Sequence, residues 1–227
     1  MTTHSKTYYH IQRSGFERDI WHKGDCLRTS KTRYNAFYSG LLRDTVDKVN
    51  ANGETIGLIK YSNLIFKKDI NKNIKSQNND FENLYYEFQD NSFEYENLAN
   101  KLHWSLFQYL KWIREEIFEL ERIKIDNDLP SRKHCIWICT ENDIQKWWDI
   151  FRDSAEKRIF ELKLDDNKRV HKGNGTLIDT ETFSIDEYQI LAKKYWSGEI
   201  SNSKEIEFSY EGSFEIIKEY KGINEIL

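Results

Sequence analysis

The sequence predicts an α+β fold in which one long helix packs on a mostly antiparallel sheet. In the middle of the chain, apolar residues recur every three or four positions, as in an amphipathic helix. Shorter segments of alternating character lie before and after this stretch, as in β-strands. With 227 residues and 15% aromatic content, the chain is large enough to bury a core. We therefore expect a single domain over residues 1–227.

The N-terminal part carries the weaker patterns. Residues 7–13 are rich in β-forming side chains and stop at Ser14 and Gly15, which predicts a strand and a turn. Residues 67–80 have no apolar period and an excess of Asn, which is typical of a mobile loop. Between these segments we expect a short helical or irregular stretch at 16–22, a brief strand at 26–28, a helix with apolar positions at 34–42 and short strands within 57–66.

The long helix is predicted from about residue 94 to about residue 123. At ~1.5 Å per residue such a helix is roughly 45 Å long. Pro130, the only proline of the chain, stiffens the turn that follows it. The apolar stripe of the helix consists of Leu98, Leu102, Leu106, Tyr109, Leu110, Ile113, Ile117 and Leu120.

Strands and helices alternate in the C-terminal half. Residues 134–140 are apolar on both faces, which predicts a central strand. At ~3.3 Å per residue, Cys135 and Cys139 lie about 13 Å apart on it, too far for a disulfide. Ser184 and Glu187 form a capping-box pattern that starts a further helix. The other predicted elements are a helix after Thr140, a strand at 158–164, a glycine-bearing loop or hairpin at 165–176, and two strand pieces within 205–217 joined by a hairpin turn at 210–213.

Composition limits the classes of function. The formal net charge of −4 excludes a polybasic tail, and no apolar run is long enough to span a membrane. The N-terminus lacks the apolar core of a signal peptide, and three cysteines favour a reducing compartment. We therefore expect a soluble, cytoplasmic protein. Residues 1–80 hold 14 basic and 8 acidic residues, which fits either a basic face or ordinary solvation.

Two common kinds of site are missing from the sequence. Histidine and cysteine do not occur in the paired spacing of zinc ligands, so we expect no metal. Neither GxGxxG nor GxxxxGK[ST] occurs, which excludes a Rossmann dinucleotide-binding domain and a P-loop NTPase.

Three groups of residues are candidates for chemistry, and each has a structural alternative. His10 lies mid-strand, where it either hydrogen-bonds a ribose hydroxyl or satisfies a structural contact. Glu205 and Glu207 share one strand face about 7 Å apart, where either stabilises a developing cation at a sugar carbon or both are simply solvated. Arg132, beside the stiff turn at Pro130, either binds a phosphate or closes a carboxylate pair that docks the long helix.

Taken in order, several short strings resemble an uncharacterised bacterial and phage protein family with an ADP-ribosyltransferase-like fold. They extend over most of residues 7–220. The strings are Tyr8-Tyr9-His10, Trp21 to Gly24, Leu129-Pro130-Ser131-Arg132, Cys135-Ile136-Trp137-Ile138-Cys139, Phe160-Glu161-Leu162-Lys163, Tyr195-Trp196-Ser197-Gly198 and Glu207-Phe208-Ser209-Tyr210-Glu211-Gly212.

The resemblance implies a split mixed or antiparallel sheet with the long helix packed on it and a cleft for NAD. Related branches place a His, a Tyr and a Glu on successive strands to hold the nicotinamide ribose, the nicotinamide ring and the anomeric centre. His10 matches the His, and Glu207, or Glu205 in its place, matches the Glu. The strand that matches the Tyr carries Trp137 and Thr140 instead.

The implied activity is the transfer of ADP-ribose from NAD to an unidentified macromolecular target, or the hydrolysis of NAD. In that reading His10 anchors the ribose, Arg13 or Arg132 meets the pyrophosphate beside Ser131, and Glu207 stabilises the developing cation. Two alternatives stay open: a catalytically inactive binding module on the same fold, and an RNA-binding module that uses the basic N-terminal third.

Overall fold

The structure is an α+β fold with antiparallel sheets, as predicted. The computed structural model describes residues 7–13, 20–44, 48–51, 54–64, 81–151, 156–181, 183–200 and 205–226. The strands are β1 (Tyr8–Arg13), β2 (Cys26–Arg28), β3 (Lys48–Ala51), β4 (Glu54–Gly57), β5 (Ile136–Ile138), β6 (Lys157–Leu164), β7 (Val170–Asn174), β8 (Ile206–Tyr210) and β9 (Ser213–Tyr220). The α-helices with defined bounds are α1 (Ala36–Asp44), α2 (Phe81–Ile125), α3 (Glu141–Ile150) and α4 (Ile185–Trp196), and residues 58–64 are also helical.

The chain forms two compact units. The first comprises Met1–Gly40 and Ile113–Leu227, and the second comprises Leu41–Trp112. In the second unit β3 pairs with β4, and Leu58 and Leu98 are buried together. No helix within the described ranges has the length and apolar character that crossing a membrane requires.

Two antiparallel sheets build the first unit. One has the strand order β1-β6-β9-β2, and the other has the order β5-β8-β7. They meet where Tyr9 and Cys139 exchange two backbone hydrogen bonds, of 2.9 and 2.8 Å. This contact fixes β5 beside β1, which matters for the site because each strand contributes to it.

The core follows from the alternation of side chains along these strands. Phe160 and Ile216 of the larger sheet pack against Ile138 and Phe208 of the smaller one. The outer face of the larger sheet packs on α3, where Ile144 is fully buried. A further cluster holds α2 against α4 and is made of Ile117, Phe118, Tyr188, Ala192, Tyr195 and Trp196.

Most predicted elements are present. The capping box of α4 is complete, because Ser184 accepts from the Glu187 backbone and Glu187 accepts from that of Ser184. Cys135 and Cys139 are free and buried, as expected from their spacing. The segment at 165–176, predicted as a loop or hairpin, contains β7, and the predicted strand at 134–140 is reduced to β5. The predicted mobile loop at 67–80 lies outside the described residues.

Two predictions are wrong. The turn at 210–213 does not close a hairpin, because β8 lies in the three-stranded sheet and β9 in the four-stranded sheet. The strands predicted after Gly57 are replaced by the helical residues 58–64. Short apolar runs fit a helix as well as a strand, so the pattern could not decide between them.

Candidate functional site

A cavity of about 200 Å³ lies beside β1 in the first unit. Its lining includes the buried rings of His10 and Trp21, whose centroids are 4.6 Å apart. Arg28 and Arg33 line the same cavity. A planar, anionic ligand suits this combination, because aromatic rings stack on planar groups and guanidinium groups bind phosphates.

The backbone of β5 orients His10. The Nδ1 atom of His10 lies 2.8 Å from the carbonyl oxygen of Trp137. Since a carbonyl oxygen only accepts hydrogen bonds, Nδ1 is the donor, and Nε2 of the neutral ring is an acceptor. The ring forms part of the cavity lining, although its Nε2 atom is itself buried from solvent.

Asn35 joins two walls of the cavity. Its side-chain amide donates to the carbonyl oxygens of Arg132 and Cys135, at 2.8 and 3.0 Å, and its backbone N–H donates to that of Lys133 at 2.9 Å. Its Oδ1 atom accepts from the backbone N–H of Tyr38, which caps α1. One side chain therefore holds the segment before α1 against the turn that precedes β5.

The rim of the cavity carries a second aromatic surface. Tyr34 stacks on His134 with centroids 5.3 Å apart and an interplanar angle of 23°. Nδ1 of His134 lies 3.1 Å from the carbonyl oxygen of Arg33. Both rings line the cavity, and 42% of Tyr34 is exposed. The described residues that line the cavity include neither Asp nor Glu.

A second feature of the first unit is a buried charge cluster centred on Arg132. Its Nε atom donates to Glu115 of α2 at 2.8 Å, and its Nη1 atom donates to Glu207 of β8. The same Nη1 atom lies 3.0 Å from the hydroxyl oxygen of Tyr195, which in turn donates to Glu207. All four side chains are almost completely buried, so the cluster joins α2, α4 and β8 without solvent.

The charges of the cluster balance. Arg114 donates to Glu115 at 2.7 Å and also to the carbonyl oxygen of Ile178. Burial raises the pKa of Glu115, but the charges of Arg132 and Arg114 outweigh this effect and hold the pKa at about 2. Glu115 is therefore ionised at neutral pH, and the two arginines offset it and Glu207.

His171 lies next to this cluster. Its ring packs against Tyr195 and Trp196, with centroids 5.0 and 4.7 Å away. Burial and then the charge of Arg132 lower the pKa of His171 to about 4. Within the described part of the chain, neither Nε2 of His171 nor Oγ of the paired Ser209 has a hydrogen-bond partner. The imidazole is therefore neutral at physiological pH.

The structure brings together only some of the predicted site residues. His10 and Trp137 are in contact, but through the Trp137 backbone rather than its side chain. Glu207 points to the opposite face of its sheet, because its neighbour Phe208 packs with Trp21 on the face that His10 shares. Glu205 is exposed just before β8.

The other three predicted residues have structural partners. Arg13 lies over the ring of Phe151, 4.4 Å from its centroid, on the face of β1 opposite His10. Ser131 donates its backbone N–H to Glu211 at 2.9 Å and its hydroxyl to Glu119 at 3.0 Å. Arg132 pairs with carboxylates, which is one of the two alternatives that the sequence left open.

Sequence reasoning missed Arg28, Arg33, Tyr34 and His134 as cavity residues. One signal was available, since residues 26–43 contain four basic residues and no acidic one. His134 had no such signal, because it reaches the cavity from a segment about a hundred positions away. The described residues contain no group of three or more His, Cys, Asp or Glu side chains arranged to hold a metal ion.

Comparison with known sequences adds one finding. A family profile described as "Protein of unknown function (DUF2441)" matches residues 8–224, so it covers β1 to the end of β9 and both features described above. No curated protein matches the chain.

Proposed function

Because the chain belongs to the DUF2441 family, whose function is unknown, we propose a function from its own side chains: it binds a nucleotide in the cavity of His10 and Trp21. The observation that supports this most strongly is the lining, which joins two buried aromatic rings to two arginines. The base contacts the aromatic wall of the cavity, the ribose lies beside His10, and phosphate oxygens accept from Arg28 and Arg33. NAD and AMP both carry these three groups.

We propose binding without turnover. Cleavage of NAD at its anomeric carbon develops positive charge, which enzymes of this kind stabilise with a carboxylate. The described cavity lining offers no carboxylate, and Glu207 is engaged by Arg132 on the other face of its sheet. ADP-ribosyl transfer is therefore the alternative proposal, and it requires Glu207 or another carboxylate to reach the cavity.

A thermal unfolding assay tests the binding proposal. A ligand at about 100 times its Kd stabilises the folded state by about 2.7 kcal/mol, which corresponds to roughly 5–11 °C for a chain of this size. We expect NAD and AMP, but not nicotinamide, to raise the Tm of the wild-type protein. His10→Ala should abolish the shift, whereas His103→Ala, at an exposed histidine of the second unit, should keep it.

Arg28→Ala provides a check that does not depend on a buried position, because Arg28 is exposed. This variant should fold like the wild type. It should bind AMP more weakly than the wild type does, because one contact to the phosphate is lost. An unchanged Tm of the wild type with every nucleotide contradicts the proposal. If the wild type releases nicotinamide from NAD and Glu207→Gln abolishes this release, the transferase alternative is supported instead.

A further inference from the structure

A third exposed cation lies in the same segment of the chain as the two arginines of the cavity. Arg28, Lys31 and Arg33 are all exposed, and they lie within a segment that contains no acidic residue from position 26 to position 43. Arg28 and Arg33 line the cavity, whereas Lys31 lies outside its lining. The whole chain, by contrast, has a net charge of −4.

A single nucleotide does not account for this arrangement. A terminal phosphate carries a charge of about −1.5 to −2, which Arg28 and Arg33 already match. A phosphodiester strand adds one negative charge with each further nucleotide, and the exposed Lys31, which stands between Arg28 and Arg33 in sequence, is the third cation of this segment. A ligand that reaches Lys31 must therefore extend out of the cavity.

The aromatic residues of the rim are consistent with such an extended ligand. Tyr34 is partly exposed and is supported from behind by His134, so it offers a flat surface beside the cavity. Proteins that bind single strands combine a basic track with aromatic rings on which successive bases stack. Tyr34 provides such a ring at the rim, whereas Trp21, which packs on His10 and Phe214, forms part of the cavity wall.

We infer that the ligand is a single-stranded nucleic acid, whose terminal nucleotide occupies the cavity with its phosphate on Arg28 and Arg33 and whose next phosphate contacts Lys31. This inference rests on the proposed function and names the class of ligand. The base next to the terminal one stacks on Tyr34. Recognition depends on the backbone and on stacking, so it tolerates different sequences.

Fluorescence anisotropy with labelled RNA and DNA hexamers, each carrying a 5′ phosphate, tests the inference against AMP as competitor. We expect a hexamer to bind about tenfold or more tightly than AMP, because it adds a stacked base and further phosphate contacts. With three phosphate charges neutralised, affinity should fall about 20-fold between 50 and 200 mM salt. Lys31→Ala should weaken hexamer binding several-fold and reduce the salt dependence, whereas the exposed Lys221→Ala should change neither.

The outcomes separate the two proposals. Equal affinity for AMP and the hexamers overturns the strand inference and leaves nucleotide binding intact. Hexamer binding that survives His10→Ala also overturns it, because the strand then lies outside the cavity, and so does equal competition by polyglutamate. Failure of both AMP and hexamers to bind overturns both proposals. A preference for RNA over DNA would assign a contact to the 2′-hydroxyl.

Discussion

Replacing Arg132 by methionine tests the buried charge cluster most severely. The substitution keeps a long apolar side chain but removes the cation that faces Glu115 and Glu207. Arg114 still pairs with Glu115, whereas Glu207 retains only the hydroxyl of Tyr195 among its cluster contacts. Removing one partner of a buried ion pair typically costs about 3–5 kcal/mol, so we expect the Tm to fall by roughly 6–20 °C.

Urea unfolding followed by tryptophan fluorescence at pH 7 measures this loss. Arg158→Met is the matched control, because Arg158 forms a half-exposed pair with Glu219 that water screens, and its loss should change stability little. The double variant Arg132→Met/Glu207→Gln should recover part of the lost stability, since it also removes the carboxylate charge of Glu207 that Arg132 no longer neutralises. A loss below about 1 kcal/mol for Arg132→Met would refute the structural role of the cluster.

Three further predictions concern single positions. His171 has a folded-state pKa of about 4, below its unfolded value, so the unfolded chain binds a proton at higher pH than the folded protein does. The free energy of unfolding should therefore fall by up to ~3 kcal/mol as the pH drops from about 6.5 to 4. In His171→Leu the urea midpoint should depend less on pH over that range. Gly173→Ala places a Cβ well inside van der Waals contact with the buried ring of Tyr195, and overpacking of this kind should cost about 1–3 kcal/mol, whereas Gly222→Ala, with nothing within 4 Å, should be nearly neutral by the same urea assay. Ser184→Ala removes half of a capping box and should lower stability by about 1 kcal/mol, so an unchanged Tm would contradict that role.

Local patterns predicted those elements whose side chains show a clear period. The strand at Tyr8–Arg13 and the helix at Ile185–Trp196 were recognisable because β-forming residues and a capping box mark them directly. The partner of a strand is not a local property. Alternation predicted strands on both sides of residues 211 and 212, but it could not show that they belong to different sheets.

The apolar stripe of α2 shows a second limit. Its period correctly predicted a helix, but Leu102, Leu106 and Leu120 are 40, 54 and 57% exposed, whereas Glu115 and Phe118 are buried. Buried glutamate is expected only where cations lie close by, and those cations come partly from outside the helix. The sequence of the helix alone therefore could not indicate which face packs inward.

The sequence predicted a residue of the candidate site only where the local pattern around that residue marked it. His10 stands out as a histidine within a strand, and the structure places it in the lining of a cavity. The remaining lining comes from two segments that Asn35 joins through hydrogen bonds to Arg132 and Cys135. Such long-range contacts leave no pattern of spacing in the sequence. The sequence indicated Glu207 as a candidate site residue, but its ion pair with Arg132 is visible only in the fold.

NMR mapping of AMP binding tests the central claim most directly, because the tryptophan indole N–H groups report on both features at once. If the cavity binds the nucleotide, the resonances of Trp21 and of residues 28–30, 33–35 and 134–136, which line the cavity, should shift. The indole N–H of Trp196, which donates to the carbonyl oxygen of Phe118 at 2.7 Å beside the charge cluster, should not shift. Shifts at Trp196 and residues 205–210 with none at Trp21 would contradict the account.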